Sequence, residues 1–252
     1  MDPAEWRVRC DLAAAYQLID LYGMSDMAAN HISVRVPGPD DHFLLNPLGL
    51  LYDQMNASAL IKVDVDGEVI EGDPSLLNPA GFVLHSAIHM ARPELTCVLH
   101  THSSAVNGVG ATREGLLPLN QKSMTIMHFV KYHDFEGAAL ELGERERVLA
   151  DMGEDGRAMI LRNHGSLTVG RSVAEAFVWQ YRLETACRFQ IEAMTCVAGG
   201  MHLQPVSDEV IAKTREQGRK VLGPGGFLAV GETEWPSLLR KLENERGASY
   251  RT

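Results

Sequence analysis

The spacing of apolar residues predicts three long helices along the chain. From Glu5 to Tyr22 apolar residues recur near the helical period, and Gly23 ends the segment. The segment "NPAGFVLHSAIHMARPEL" predicts a second helix, which ends before Pro93 because a residue that precedes proline is disfavoured in the α region. The longest periodic segment, "SVAEAFVWQYRLETACRFQIEAMTCVAG", starts at Ser172, which has Glu175 at the capping-box spacing.

Between these helices, shorter segments alternate or run apolar in the way that is typical of strands. "HISVRV" and "HFLLN" flank the turn residues "PGPDD", and "LIKVDVDGEVIEGD" predicts two further strands around Asp66-Gly67. "TCVLHTH" follows the second helix as a strand, "AVNGVGATREG" predicts a helix or a turn, and "RAMILRNHGSLTVG" predicts strand, polar turn and strand. We find no internal repeat and no linker. The pattern predicts one domain over residues 1–252, a three-layer α/β/α fold with a central, mostly antiparallel sheet.

Composition and charge exclude several classes of function. The chain has 252 residues, of which 45% are hydrophobic, and a formal net charge of −10. No stripe of Lys and Arg is present, so we expect neither nucleic-acid binding nor attachment to an anionic membrane. No apolar run approaches the roughly 20 residues that span a bilayer. The four cysteines form no CxxC pair and the N-terminal segment has no signal-peptide pattern, which favours a cytoplasmic protein.

Histidines at the ends of predicted strands are the strongest candidate chemistry. His100 and His102 lie one residue apart in "LHTH", so in an extended strand both rings point to the same face. His164 lies between Asn163 and Gly165 in a second strand end, where Gly165 permits a positive φ, so that the turn can aim the ring inward. Each motif alone also fits a solvent-exposed histidine. Three neutral imidazoles around one divalent ion would leave coordination positions open, as in catalytic sites.

In combination these motifs resemble the class II aldolase/adducin family. That family has an HxH pair after a helix ending in Arg-Pro and a third histidine in an Asn-His-Gly turn, and this chain has "ARPELTCVLHTH" and "RNHG". The resemblance implies that His100, His102 and His164 bind one divalent metal ion per subunit. Imidazole ligands suit several metals, and we favour zinc or manganese over iron or cobalt. The resemblance also implies a homotetramer whose metal sites lie near the subunit interfaces.

The chain departs from the phosphate-sugar aldolases of that family at two places. The position that matches their catalytic Glu is Gly81, and Asn46-Pro47 and Asn78-Pro79 replace the hydroxyl residues of their phosphate loops. A phosphorylated sugar is therefore disfavoured. The "NP" loops resemble a branch containing adducin-like proteins and bacterial decarboxylases of hydroxylated aromatic acids. The alternative explanation of the two Asn-Pro pairs is ordinary turn chemistry.

The remaining candidates are substrate contacts and proton donors. The resemblance implies that Asn30 and His31 line the substrate pocket, together with Asn46, Asn78 and Gly81. Tyr132 and His133 in "VKYHDFEG" are the candidate general acids, and Tyr132 matches a tyrosine that reaches a neighbouring subunit's site in the family. This segment also fits a polar surface loop. His85 and His89 stand four residues apart on the second helix without a HExxH pattern, so we expect them to pack against the sheet.

Three hypotheses about function follow from the resemblance and the departures. The first is a metal-dependent lyase that decarboxylates a hydroxylated aromatic, or related hydroxy, carboxylic acid as its small-molecule substrate. The second is a retro-aldol lyase that acts on a non-phosphorylated hydroxy compound. The third is a non-catalytic, adducin-like interaction module. The missing Glu favours decarboxylation, because that reaction needs a proton donor more than a base.

Overall fold

The computed structural model describes residues 1–38, 41–137, 143–226 and 228–252, and for residues 79–83 it describes the backbone alone. The helices, in chain order, are α1 (Pro3–Leu21), α2 (Pro79–Ala91), α3 (Ser104–Gly110), α4 (Gln121–Ile126), α5 (Glu144–Met152), α6 (Val173–Ala198), α7 (Asp208–Leu222) and α8 (Trp235–Arg246). The strands are β1 (His31–Arg35), β2 (Phe43–Leu45), β3 (Ile61–Val63), β4 (Val69–Glu71), β5 (Cys97–Thr101), β6 (Val130–His133), β7 (Ala158–Leu161) and β8 (Gly165–Gly170).

The described strands form one sheet in the order β4-β3-β2-β1-β5-β8-β7-β6. Every neighbouring pair in it is antiparallel except β6 and β7, which are parallel. The prediction of a mostly antiparallel sheet is confirmed. Strand β6 lies in the segment that the sequence left as a polar loop, because its polar residues at the edge of the sheet conceal the strand pattern.

Helices cover both faces of the sheet, which confirms the three-layer prediction. Residues of α1, α3, α6 and α8 share one core with Ile32, Leu99 and Ile160. Residues of α2 and α5 share a second core with Val98 and Met159 on the other face. Because side chains alternate along a strand, the residues that follow Val98 at even spacing also point toward the α2/α5 face. This alternation decides on which face the histidine chemistry lies.

The cap predicted at the start of α6 forms with a small difference, and the start of α1 is also capped. Asp2 caps α1 by accepting the Ala4 N–H at 3.0 Å. The hydroxyl of Ser172 accepts the Glu175 N–H at 3.1 Å, and the Glu175 carboxylate accepts the backbone N–H of Arg171 rather than that of Ser172. Among the described residues, no helix combines the length and the apolarity that crossing a membrane would require.

Candidate metal centre

Three histidine rings converge on the α2/α5 face of the sheet. His100 is the fourth residue of β5, His102 follows the end of that strand, and His164 lies in the turn between β7 and β8. The ring centroids are 4.8–5.1 Å apart, and one ring nitrogen from each residue lies within 4.8 Å of the other two. The closest pair is Nε2 of His100 and Nε2 of His102, at 3.1 Å. The structure thus brings together the three residues that the sequence singled out.

Hydrogen bonds on the outer side of two rings determine where their protons lie. Nδ1 of His100 lies 2.8 Å from the carbonyl oxygen of Ser166, and Nδ1 of His102 lies 3.0 Å from a carboxylate oxygen of Asp26. A carbonyl and a carboxylate oxygen can only accept, so each Nδ1 carries the hydrogen. In the neutral rings both Nε2 atoms therefore present lone pairs. This is the outer arrangement that orients histidine ligands at metal sites.

The separation of the two Nε2 atoms fits a shared metal ion. Two lone pairs that face each other at 3.1 Å repel unless a cation or a proton lies between them. Two imidazole nitrogens bound at about 2.1 Å to one ion, at angles between octahedral and tetrahedral, lie roughly 3.0–3.4 Å apart. The distance between His100 and His102 falls in that range. His164, whose ring has no hydrogen-bond partner among the described residues, is placed to supply a third nitrogen.

Burial keeps the rings of His100 and His164 neutral, as metal ligands must be. Burial lowers the pKa of His100 well below its ordinary value, and the neighbouring histidines His31, His164 and His102 lower it further. Burial, followed by the proximity of His102 and His133, lowers the pKa of His164 to about 4. Neutral imidazoles are available to a cation without first losing a proton.

The turn that presents His164 differs from the sequence-based expectation. Asn163, not Gly165, has the positive φ, at 56°. Asn tolerates the left-handed region better than most residues because its short polar side chain can bond locally. Gly165 is required for another reason, since a Cβ there would lie 2.5 Å from the carbonyl oxygen of Thr101 and 3.1 Å from the His102 ring. The absent side chain thus lets β8 and β5 approach closely where the ligands emerge.

Of the two predicted pocket residues, His31 lies beside the histidine triad, and Asn30 holds the loop that carries Asp26. Asn30 is fully buried, and its Oδ1 accepts the Asp26 N–H at 2.8 Å, which fixes the loop that carries the Asp26 carboxylate. Its Nδ2 has no acceptor among the described residues. His31 is paired with His100 across β1 and β5, and their rings are 4.8 Å apart. Sequence reasoning missed Asp26, because its contact with His102 joins residues 76 positions apart and leaves no local signal.

The other three predicted substrate contacts, Asn46, Asn78 and Gly81, have no described contact with the triad. The side chain of Asn46 is buried and used within the fold, with Oδ1 at 2.8 Å from the Tyr16 hydroxyl and Nδ2 at 3.4 Å from the carbonyl oxygen of Asn30. It therefore supports the Asn30 loop. Asn78 is half-buried immediately before α2. Gly81 lies within α2, in the part whose side-chain surroundings are outside the described residues.

The two candidate proton donors lie on opposite faces of β6. The Tyr132 hydroxyl accepts the Leu116 N–H at 2.9 Å, and the Arg162 guanidinium lies over its ring at 4.7 Å. Tyr132 shares a face with its β7 partner Ile160, so it lies across the sheet from the triad of its own chain. Burial raises its pKa. His133 is buried on the triad's side, with Nδ1 2.7 Å from the Asp151 carboxylate.

His85 and His89 pack against the sheet, as expected, but they also form a buried network that the sequence did not reveal. His85 Nε2 lies 2.8 Å from Nδ1 of His31, and His85 Nδ1 lies 2.7 Å from the hydroxyl of Ser33. The same hydroxyl lies 2.7 Å from Nε2 of His89. The network therefore connects the last turn of α2 with the ring that neighbours His100.

Comparison with known proteins agrees with this geometry. A solved aldolase II superfamily protein from Pseudomonas syringae is 46% identical, with a TM-score of 0.89 over 100% of this chain and 98% of that one. An L-fuculose 1-phosphate aldolase from Glaciozyma antarctica is 29% identical, with a TM-score of 0.81 over 98% and 93% of the two chains. Alpha-adducin of Rattus norvegicus is 38% identical over 257 residues, which cover 100% of this chain and 34% of alpha-adducin. The family model of the class II aldolase and adducin N-terminal domain matches residues 10–191. The chain belongs to the class II aldolase and adducin family.

Proposed function

We propose that this protein is a metal-dependent carbon–carbon lyase in which His100, His102 and His164 hold one divalent ion per subunit. The observation that carries this proposal is the 3.1 Å separation of the two Nε2 atoms of His100 and His102, whose outer nitrogens are both committed to acceptors. Three imidazoles suit zinc or manganese, and also iron or cobalt. A bound ion of this kind supplies open positions for neighbouring substrate oxygens and stabilises negative charge that develops beside them.

For the reaction we propose decarboxylation of a hydroxylated aromatic, or related hydroxy, carboxylic acid. The bond between the substrate carbon and its carboxylate breaks, carbon dioxide leaves, and the electron pair left on carbon takes a proton. Within the described residues, the group that could bind the ion contains histidines alone, and Asp26 bonds to the outer nitrogen of His102. This supports a reaction that starts without a carboxylate base at the ion. The buried Nδ2 of Asn30 is a donor without an acceptor among the described residues.

Two alternatives keep specific support. Retro-aldol cleavage of a non-phosphorylated hydroxy compound uses the same ion and is favoured by the likeness to the L-fuculose 1-phosphate aldolase. A non-catalytic interaction module is favoured by the match of the whole chain to part of alpha-adducin. The two enzyme alternatives differ in their products, since decarboxylation releases carbon dioxide and retro-aldol cleavage releases an aldehyde or ketone. The module differs from both because it needs no metal-dependent turnover.

A substrate screen tests the proposal directly. The zinc- and manganese-loaded protein is incubated with hydroxybenzoates, hydroxyphthalates and β-hydroxy acids while carbon dioxide and aldehyde release are measured. We expect metal-dependent release of carbon dioxide that His164→Ala abolishes and that His202→Ala, a change at an exposed histidine, leaves intact. Aldehyde release would favour the retro-aldol alternative. Metal-independent turnover, or none with any of these classes, would contradict the proposed decarboxylase.

A further inference from the structure

A buried network of hydrogen bonds runs between α2 and the sheet, from the metal centre to the last turn of α2. It connects His31, His85, Ser33 and His89 through contacts of 2.8, 2.7 and 2.7 Å. All four side chains are less than 9% exposed. Burial lowers the pKa of His85 well below its ordinary value and, with the nearby Arg35 guanidinium, lowers that of His89 to about 3. These rings are therefore neutral near pH 7, and each carries one hydrogen.

Because each neutral ring and the hydroxyl carry one hydrogen, the donors and acceptors of this network can be arranged in only two ways. The hydroxyl of Ser33 has one hydrogen, so it donates to one histidine and accepts from the other. If Ser33 donates to His89, then His85 donates to Ser33 and His31 donates to His85. If Ser33 donates to His85, every bond reverses. If Nδ1 of His89 carries a hydrogen, Nε2 of His31 therefore has a lone pair, and if Nδ1 of His89 has a lone pair, Nε2 of His31 carries the hydrogen.

The surroundings of His89 select between the two arrangements. Its outer nitrogen, Nδ1, is buried and makes no hydrogen bond of standard geometry among the described residues. The carbonyl of Leu95 acts on the His89 ring as an acceptor and raises its pKa against the effect of burial, and because Nε2 already faces the Ser33 hydroxyl, this carbonyl acts on Nδ1. A carbonyl oxygen attracts an N–H and repels a lone pair, so the hydrogen belongs on Nδ1. Nε2 of His89 then accepts from Ser33. Each hydrogen bond in the network is therefore donated in the direction from His31 toward His89.

Because His31 donates its Nδ1 hydrogen to His85, its Nε2, at the end of the network next to the metal centre, carries a lone pair. Its Nδ1 hydrogen is given to His85, and Nε2 lies on the opposite edge of the ring without a hydrogen-bond partner in the described part of the chain. The ring is 4.8 Å from that of His100, and His102 and His164 are close enough to influence its pKa. The acceptor therefore belongs to the surroundings of the three candidate ligands.

We propose that the His89–Ser33–His85 chain locks His31 as a hydrogen-bond acceptor beside the metal ion, and that it selects ligands carrying a hydroxyl donor next to a metal-binding oxygen. This inference rests on the proposed function for the metal ion, but the state of His31 follows from the fold alone. A 2-hydroxy or ortho-hydroxy acid meets the requirement, because its hydroxyl can donate to His31 while a carboxylate oxygen binds the ion. An oxo acid or a dicarboxylate offers only acceptors. Ser33, His85 and His89 act as positioning residues.

The first test reads the state of His31 without any activity. Solid-state ¹⁵N spectra of the histidine-labelled protein separate protonated from unprotonated ring nitrogens, and the His31→Gln difference spectrum assigns the signals. We expect Nδ1 of His31 to be protonated and Nε2 unprotonated near pH 7. In Ser33→Ala the chain is interrupted, and we expect His31 to become a mixture of both forms. Protonated Nε2 in the unmodified protein would overturn the inference.

The second test compares two small chelators of the zinc-loaded protein by calorimetry. Glycolate carries a hydroxyl donor and oxalate carries none. We expect Ser33→Ala to weaken glycolate binding in proportion to the loss of the acceptor form of His31, about twofold for an even mixture, and to leave oxalate binding unchanged. Ser33→Thr, which keeps the hydroxyl, should restore glycolate binding. Thr168→Val, which removes a buried hydroxyl bonded to the Ala176 carbonyl on the other face of the sheet, is the matched control.

The outcomes separate this inference from the proposed function. Equal losses for glycolate and oxalate in Ser33→Ala would overturn the selection of a hydroxyl donor. A protein that binds no zinc would remove the proposed function and the ligand selection together, and the ¹⁵N spectra would still decide whether the chain locks His31. If zinc binds and Nε2 of His31 is unprotonated but no lyase activity is found, the proposed reaction is wrong. The inference that His31 is a hydrogen-bond acceptor is then still supported.

Discussion

The carboxylate of Asp26 lies 3.0 Å from Nδ1 of His102, although 76 residues separate them in sequence. The loop that brings Asp26 there is held by Asn30 and contains Met27, whose φ is 46°. Met27 and Asn163 are the two non-glycine residues with a positive φ in the described part of the chain. One lies beside Asp26 and the other directly before the candidate ligand His164. Both loops that serve the triad thus hold an unfavourable backbone conformation, which is common at functional sites.

Replacing Asp26 should weaken metal binding without unfolding the protein. Asp26→Asn removes the charge that favours the Nδ1 hydrogen of His102, and such outer partners are worth about 10–100-fold in metal affinity. Competition with a chromophoric zinc chelator measures the change. Asp53→Asn, at an exposed aspartate, is the matched control and should not alter the affinity. An unchanged zinc affinity in Asp26→Asn would show that the contact does not orient His102.

Adding one methyl group at Gly165 should disturb both stability and the metal site. In Gly165→Ala the new Cβ meets the Thr101 carbonyl oxygen at 2.5 Å, so β8 must move away from β5, at a cost of about 1–3 kcal/mol. We expect a lower free energy of unfolding in urea and weaker zinc binding. Gly108→Ala meets only the end of the Ile191 side chain at 3.4 Å and should be neutral or stabilising. Equal behaviour of the two variants would contradict the close packing of the strands.

The pH dependence of stability should follow the buried histidines. The pKa of His89 is lowered from 6.5 to about 3, so between these values the unfolded chain binds a proton that the folded chain refuses. The stability of the metal-free protein should therefore be unaffected by this group above pH 6.5 and fall as the pH decreases below it. From pH 7 to pH 5 we expect His89 alone to contribute a loss of about 2 kcal/mol, measured by urea unfolding.

Two variants show whether His89 is responsible for this loss. His89→Phe should reduce the loss between pH 7 and pH 5, whatever its stability at pH 7, because the titrating group is removed. His202→Gln, which changes an exposed histidine, should leave the loss unchanged. A free energy of unfolding that rises as the pH falls from 6.5 to 5 would contradict the neutral, buried state of these rings.

Assembly is a separate prediction, which comes from the family resemblance. We expect a homotetramer in which Tyr132 or His133 of one subunit approaches the ion held by another. The Tyr132 hydroxyl accepts the Leu116 N–H and lies across the sheet from its own triad, so its own hydrogen is left for another acceptor. Sedimentation measures the assembly. Mixed tetramers of His100→Ala and Tyr132→Phe chains should regain part of the activity, because some interfaces pair an intact triad with an intact Tyr132.

Two results would count against a shared site. A monomer in sedimentation would exclude it outright. A verified mixed tetramer without any regained activity would show that Tyr132 serves its own subunit or only packs against other residues. Substituting His133 in the same experiment tests the second candidate donor independently, because the two side chains lie on opposite faces of β6.

The fold was largely predictable because periodicity and local signals agree with tertiary packing in most of the chain. The helix up to Pro93, the strand containing His100 and the turn containing His164 are each defined by residues close in sequence. Strand β6 was missed because an edge strand with polar residues shows little apolar alternation.

The site was predictable only as far as short motifs reach. The triad follows from two local patterns, but the contact of Asp26 with His102 and the hydrogen bonds that connect His31, His85, Ser33 and His89 join residues between 52 and 76 positions apart along the sequence. Nothing in the local sequence around Ser33 indicates that its hydroxyl lies between two histidines. The positive φ was assigned to Gly165 because glycine is the common choice there, whereas close packing requires that glycine.

Metal content measures the central claim most directly. The protein is purified without chelators, dialysed against zinc or manganese and then against metal-free buffer, and analysed for bound elements. We predict one divalent ion per chain in the unmodified protein and in His202→Ala, and far less than one in His100→Ala at comparable secondary-structure content by circular dichroism. Stoichiometric metal that survives in His100→Ala, or no retained metal in the unmodified protein, would contradict a metal centre at His100, His102 and His164.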